Sequence, residues 1–165
     1  MKSKLFVMCG PAGVGKTTWV KQHLTDKDAW VSRDEIRFEI LEHNKSSKYF
    51  EFEELVKNIY FKQINWGIAA GLNIFADATH ISKKSREELL RRIKDKNIEK
   101  YIICFNIPLQ TALEQNAKRE GLKKVPEDVI KRMYKEFQPP VLDEGFDKIY
   151  IVEPDGRLRC RERDK

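Results

Sequence analysis

The sequence has no paired set of cysteines: there are three, and none is in a Cys-x-x-Cys spacing. That excludes a disulfide-stapled scaffold. Cys9 and Cys104 fall in apolar runs and read as buried thiols, whereas Cys160 reads as exposed, a pattern that suits a reducing compartment. Long hydrophobic runs are also missing. No stretch approaches the roughly 20 apolar residues of a membrane span, and the run from Leu5 to Met8 with its neighbours is too short for a signal segment. A cytoplasmic location is the expectation. Two further absences bear on activity. Asp77, at the end of the apolar run "LNIFAD", has no acidic neighbour of the kind that oligomeric ATPase motors carry. A signalling GTPase needs a base-reading Asn-Lys-x-Asp loop, and "NKSSK", residues 44–48, lacks the aspartate and lies in the wrong place.

What is present is a core-forming composition with a heavily charged surface. Hydrophobic residues make up 41% and charged residues 35% of 165 residues, which suits one folded domain. The net charge of +6 favours polyanionic partners, although solvated helix faces account equally well for most of these charges. Part of the excess sits in "GRLRCRERDK", residues 156–165, which reads as a frayed, solvated tail after a domain spanning residues 1–155.

Short apolar runs alternate with helical periodicity. Strands are expected at Lys4–Cys9, Ala29–Ser32, Leu72–Asp77, Lys100–Ile107 and Lys148–Val152. Helices are expected at Lys16–Leu24, from Arg33, over Phe50–Ala70, from Ser82, over Leu109–Arg119 and over Pro126–Phe137. Phe52, Leu55, Val56, Ile59 and Ile64 mark the inward side of the long helix, and Leu109, Ala112, Leu113 and Ala117 that of the later one. The alternation predicts an α/β fold with a parallel five-stranded sheet covered by helices on both faces, its ligands at the carboxyl ends of the strands.

Between the first strand and first helix lies Gly10-Pro11-Ala12-Gly13-Val14-Gly15-Lys16-Thr17-Thr18, which meets the pattern Gly-x-x-x-x-Gly-Lys-Ser/Thr. Glycines let the backbone curl so that successive N–H groups face an anion, and the helix behind adds its positive end. Lys16 is placed to reach the outer phosphates of a nucleotide, and Thr17 to bind Mg²⁺. Small size and the basic residues after the fourth strand point to a kinase using ATP and Mg²⁺.

"VSRDEIR", residues 31–37, lies at the carboxyl end of the second strand, and this architecture is expected to set that segment beside the phosphate loop. Asp34 and Arg37 share a helix face. A phosphoryl acceptor needs a carboxylate to orient its hydroxyl, and an arginine if it carries a phosphate. Ser32 with Glu35 also reads as a capping box; the two readings are compatible. Asp77 either helps to hold Mg²⁺ or starts a turn.

Together "GPAGVGKTTWV", "VSRDEIR", "DATH" and "NAKREGLKKVPEDVIKRMYKEFQPP" resemble the phosphate-loop polynucleotide 5′-hydroxyl kinases, over most of residues 4–152. These include the kinase half of the phage end-healing enzyme and its bacterial RNA-repair relatives. The resemblance implies transfer of the γ-phosphoryl group of ATP to 5′-hydroxyl ends of DNA or RNA. It makes Asp34 the general base, Arg37 the clamp on the neighbouring phosphate and Arg119 a lid arginine. Thr79 and Arg86 match its third block on the substrate side, without a chemistry that spacing assigns.

Two positions depart from the family. Gln115 stands where a second lid arginine is common, and His80 where asparagine is. The phage relatives continue into a phosphatase domain, so no end-trimming activity is expected of this chain. Trp19, Trp30 and Trp66 read as packing residues rather than base-stacking ones, His23 and His43 as surface residues. The alternatives to a polynucleotide kinase are a kinase of a nucleoside, small metabolite, antibiotic or modified DNA base, and a nucleotide-gated binding module.

Overall fold

The computed structural model describes residues 2–162. Its sheet is built from β1 (Lys4–Cys9), β2 (Asp28–Ser32), β3 (Asn73–Asp77), β4 (Glu99–Phe105), β5 (Lys148–Val152) and β6 (Leu158–Glu162). The helices are α1 (Lys16–His23), α2 (Arg33–His43), α3 (Glu53–Ala69), α4 (Lys83–Arg92), α5 (Leu109–Ala117) and α6 (Glu127–Glu136). Strand order is β2-β3-β1-β4-β5-β6. The first five are parallel and β6 runs antiparallel to β5.

Side-chain alternation on the strands divides the core in two. Leu5, Val7 and Cys9 of β1 pack with Val56, Tyr60 and Ile64 of α3 and Leu89 of α4. On the other face, Met8 of β1 joins Val20 of α1, Ala112 of α5 and Ile130 of α6. Each fully buried aliphatic side chain contributes on the order of 1.5–3 kcal/mol, so covering both faces stabilises the sheet and leaves its carboxyl-end rim free for ligands.

The expected α/β sheet with helices on both faces is what forms, with two corrections. There are six strands rather than five. The sixth comes from the segment read as a frayed tail: its residues are solvent-exposed, yet they pair along β5 from Lys148↔Glu162 to Val152↔Leu158. Residues 163–165 of that tail lie outside the described residues. β3 lies between β1 and β2, and "VSRDEIR" nevertheless shares a cavity with the phosphate loop. Leu55, read as core, is 48% exposed, and Ala117 is exposed as well. Cys9 and Cys104 are buried and Cys160 is exposed. Among the described residues, no helix is long and apolar enough to cross a membrane.

Candidate active site

The phosphate loop joins β1 to α1 at the centre of the sheet. Gly13 has φ +88°, and a Cβ there would lie 2.5 Å from the Ala112 carbonyl oxygen. Backbone cannot yield to that contact, so glycine is required for α5 to pack against the loop. Gly15, in the left-handed region, precedes α1, whose amino end has no side-chain cap and no acidic residue in its first turn. Its free N–H groups and positive dipole end are thereby left for an anion.

Lys16 donates to the carbonyls of Gly10 at 2.6 Å and Pro11 at 2.8 Å, leaving one of three ammonium hydrogens for a ligand. Burial lowers its pKa, and the charges of Asp77 and Asp34 oppose that shift. The Thr17 hydroxyl donates to Asp77 Oδ2 at 2.8 Å, and Trp30 Nε1 donates to the same oxygen at 2.9 Å. Trp30 is thus a packing residue that also fixes a carboxylate.

These groups open into a cavity of about 460 Å³, whose far wall carries Asp34, Arg37 and Arg33. Ser32 caps α2 by accepting from Glu35 N at 3.1 Å, which aims the first helical turn. Asp34 is 63% exposed on its side chain. Its Oδ1 accepts from Arg37 Nη1 at 2.5 Å and from the Tyr49 hydroxyl at 3.3 Å. Glu53 grips the other edge of Arg37, with Nε–Oε1 2.5 Å and Nη2–Oε2 3.0 Å. Burial works against the Arg37 charge, but the Glu53 bond, Tyr49 and Asp34 outweigh it, and the guanidinium is held above its ordinary pKa. Burial, with the nearby Asp34 charge, pushes Tyr49 up to about 12, so its hydroxyl keeps its proton for donation. Arg33 reaches Glu53 at 3.4 Å. Its Nε is the one buried side-chain polar atom without a partner among the described residues.

Thr79 lines the cavity, and its carbonyl accepts from Gly10 N at 2.9 Å. Arg119, just beyond α5, borders this cavity and a second one of about 450 Å³ on the other side of Gly15 and Thr18. The Asn116 side chain holds the segment carrying Arg119 by donating to Val125 O at 2.6 Å and accepting from Val125 N at 2.9 Å.

Arg86 is not a substrate residue in this structure. It is fully buried, borders neither cavity and donates to His80 O, Gln138 O and both oxygens of Glu144. A buried guanidinium needs that many partners, and Arg86 uses them to tie α4 to the chain after α6. His80 is likewise buried, between Met8 O at 2.7 Å and the Tyr60 hydroxyl at 3.2 Å. The residues that sequence reasoning missed are Glu53, Tyr49, Phe50, Asn116 and Arg33. Arg33, inside "VSRDEIR", and Asn116, the first residue of "NAKREGLKK", lay within motifs already marked for chemistry.

A family match decides the assignment. The chain belongs to the AAA domain family, which matches residues 5–140. It is a phosphate-loop kinase of that family. Over 145 residues it is 23% identical to a candidate bifunctional polynucleotide kinase/RNA ligase of Autographa californica nuclear polyhedrosis virus, covering 81% of this chain and 21% of that protein. Over 138 residues it is 25% identical to the L-seryl-tRNA(Sec) kinase of Methanococcus maripaludis, covering 82% of this chain and 53% of that one. The kinase thus spans about a fifth and about half the length of these two curated relatives. A chain of the Pnkp1/Rnl/Hen1 RNA repair complex shares the fold, with a TM-score of 0.69 at 19% identity over 82% of this chain and 44% of that chain.

The site suits Mg²⁺ of the kind such kinases use. Among the described residues no group of three or more His, Cys, Asp or Glu forms a metal cage. One hydroxyl and one carboxylate beside a phosphate cradle fit an ion that takes the rest of its shell from phosphates and water.

Proposed function

We propose that the protein is an ATP-dependent polynucleotide 5′-hydroxyl kinase acting on DNA or RNA ends. One observation carries the reading: Asp34, an exposed carboxylate held by Arg37 and Tyr49, faces the same cavity as Lys16, Thr17 and Asp77. Asp34, exposed on the wall of this cavity, is placed to meet an acceptor hydroxyl. Asp34 accepts the hydroxyl proton while the oxygen forms a bond to the γ-phosphorus and the bond from that phosphorus to the β-phosphate bridging oxygen breaks, releasing ADP. Lys16 and Arg119 offset the charge on the transferring group. Thr17 and Asp77 would hold Mg²⁺, which spreads charge over the β- and γ-oxygens when bound. The second cavity, between α5 and the β5–β6 turn, suits the base of the nucleotide.

The phosphate next to the acceptor nucleotide falls to the arginine wall. Arg33 lines the cavity and its Nη2 reaches Glu53 only at 3.4 Å, so its terminal N–H groups are the donors left for a phosphate oxygen. Arg37, whose Nε edge is already gripped by Glu53, serves both to hold Asp34 and to add charge behind Arg33. A kinase of a smaller hydroxyl is the second reading. It is favoured by that same Glu53 grip, which neutralises an arginine the polynucleotide family uses on phosphate.

Asp34→Asn keeps the shape and removes the base. Transfer should fall about 10²–10⁴-fold, with ATP affinity within about twofold of the parent by calorimetry. Near-parental turnover in Asp34→Asn would remove the general base from the account.

A further inference from the structure

Phe50 is 68% exposed, although it belongs to the aromatic cluster against Asp34. A single exposed apolar side chain is ordinary, and Trp66, at 67%, is such a case: it lies on α3 and borders neither cavity. Phe50 differs because it lines the reaction cavity and is fixed from behind. Its ring meets Tyr49 edge-on, with centroids 4.6 Å apart and planes at 80°. Tyr49 in turn meets Phe38 at 6.3 Å. The Arg37 guanidinium lies 4.7 Å from the Tyr49 centroid and 5.7 Å from that of Phe50.

The tyrosine that supports Phe50 also donates to Asp34, and the arginine near both rings donates to Asp34 as well. The exposed ring is therefore tied to the carboxylate that takes the acceptor proton. An aromatic face at this place interacts with a planar base one sugar away from the reacting hydroxyl, whichever base it is, because every base has a π-face. A polyol or another acceptor without a ring gains nothing from it.

We infer that Phe50, backed by Tyr49, is the stacking platform for the base of the acceptor nucleotide, which makes the acceptor site selective for a hydroxyl that carries an aromatic base beside it. This deepens the polynucleotide kinase reading and rests on it.

The test compares Phe50→Ala, Phe50→Trp and the parent on three acceptors: a 5′-hydroxyl oligonucleotide, the same oligonucleotide abasic at its first position, and a nucleoside, with a polyol as a fourth arm. On the oligonucleotide, Phe50→Ala should raise acceptor KM roughly 10-fold, within about 5–150-fold for loss of one stacked base. kcat and the KM for ATP should stay within about twofold, and Phe50→Trp should restore the acceptor KM. On the abasic acceptor, the parent KM should already be raised and Phe50→Ala should raise it no further. An unchanged KM on the base-bearing oligonucleotide, or an equal loss on the abasic one, overturns the platform while leaving the polynucleotide reading intact. Transfer to the nucleoside but to no oligonucleotide, with the same Phe50 dependence, overturns the polynucleotide reading and keeps the platform. Transfer only to the polyol, indifferent to Phe50, overturns both.

Discussion

His80 shows how one side chain couples the site to the core. Its backbone has φ 45°, a left-handed conformation that asparagine adopts more readily than histidine. Met8 O can only accept, so His80 Nδ1 carries the hydrogen and Nε2 accepts from Tyr60. Burial holds its pKa down at about 4, with Arg33, Lys16 and Arg86 adding to the effect. The sign follows from which state takes the proton. Between about pH 6.5 and 4 the unfolded chain binds a proton that the folded chain refuses. Stability is thus lost as pH falls through that window and is flat above it, by at most about 3 kcal/mol. His80→Asn should remove that part of the pH dependence. Denaturant unfolding of both proteins at pH 7.5 and 5 measures it, and parallel losses in the two would show that His80 is not the cause.

At the scale of elements, the segment after α5 borders both cavities through Arg119, the side chain proposed to meet the transferring phosphates. It carries Arg119 and Lys123, and Lys123 reaches Glu35 of α2 at 4.0 Å across the cavity mouth. That pair is exposed and weak, so the anchoring falls to the two Asn116–Val125 hydrogen bonds. Asn116→Ala should speed amide exchange in residues 118–125 and lower kcat roughly tenfold, since a small misplacement of a charge-stabilising group is costly. Unchanged exchange with unchanged kcat would mean that the loop is held by other contacts.

The elements themselves were largely legible. β1, β5 and the phosphate loop carry strong local signals: an apolar run, and glycines at fixed spacing. β6 was missed because "LRCRE" is polar and lies at a sheet edge, where pairing with β5 rather than burial defines the strand. Strand order was not legible, since it comes from how crossovers pack and not from the strands' own residues. In the site, the loop, Asp34, Arg37 and Asp77 stood out because their spacing is chemical, and the structure sets them around one cavity. Glu53 and Tyr49 were not, because they reach Arg37 from 16 and 12 residues away. Arg86 was misread because its motif position resembles a substrate residue, and only its burial reveals a clamp.

At the scale of the molecule, strand order decides why the chemistry converges. β1 is central, and β3 and β2 succeed it on one side. Their carboxyl ends deliver the phosphate loop, Asp77 and Asp34 in sequence across one rim, the order that the proposed transfer needs. The net charge of +6 supplies a general attraction for polyanions that weakens with salt.

The proposed function requires this rim to move a γ-phosphoryl group onto a 5′-hydroxyl nucleic-acid end. Label transfer from γ-labelled ATP with Mg²⁺ tests it most directly, on 5′-hydroxyl DNA and RNA oligomers beside their 5′-phosphorylated controls, nucleosides and 3′-nucleotides. The account predicts label on the 5′-hydroxyl oligomers and none on the controls. Label confined to the small acceptors, or found equally on the blocked oligomers, would contradict it.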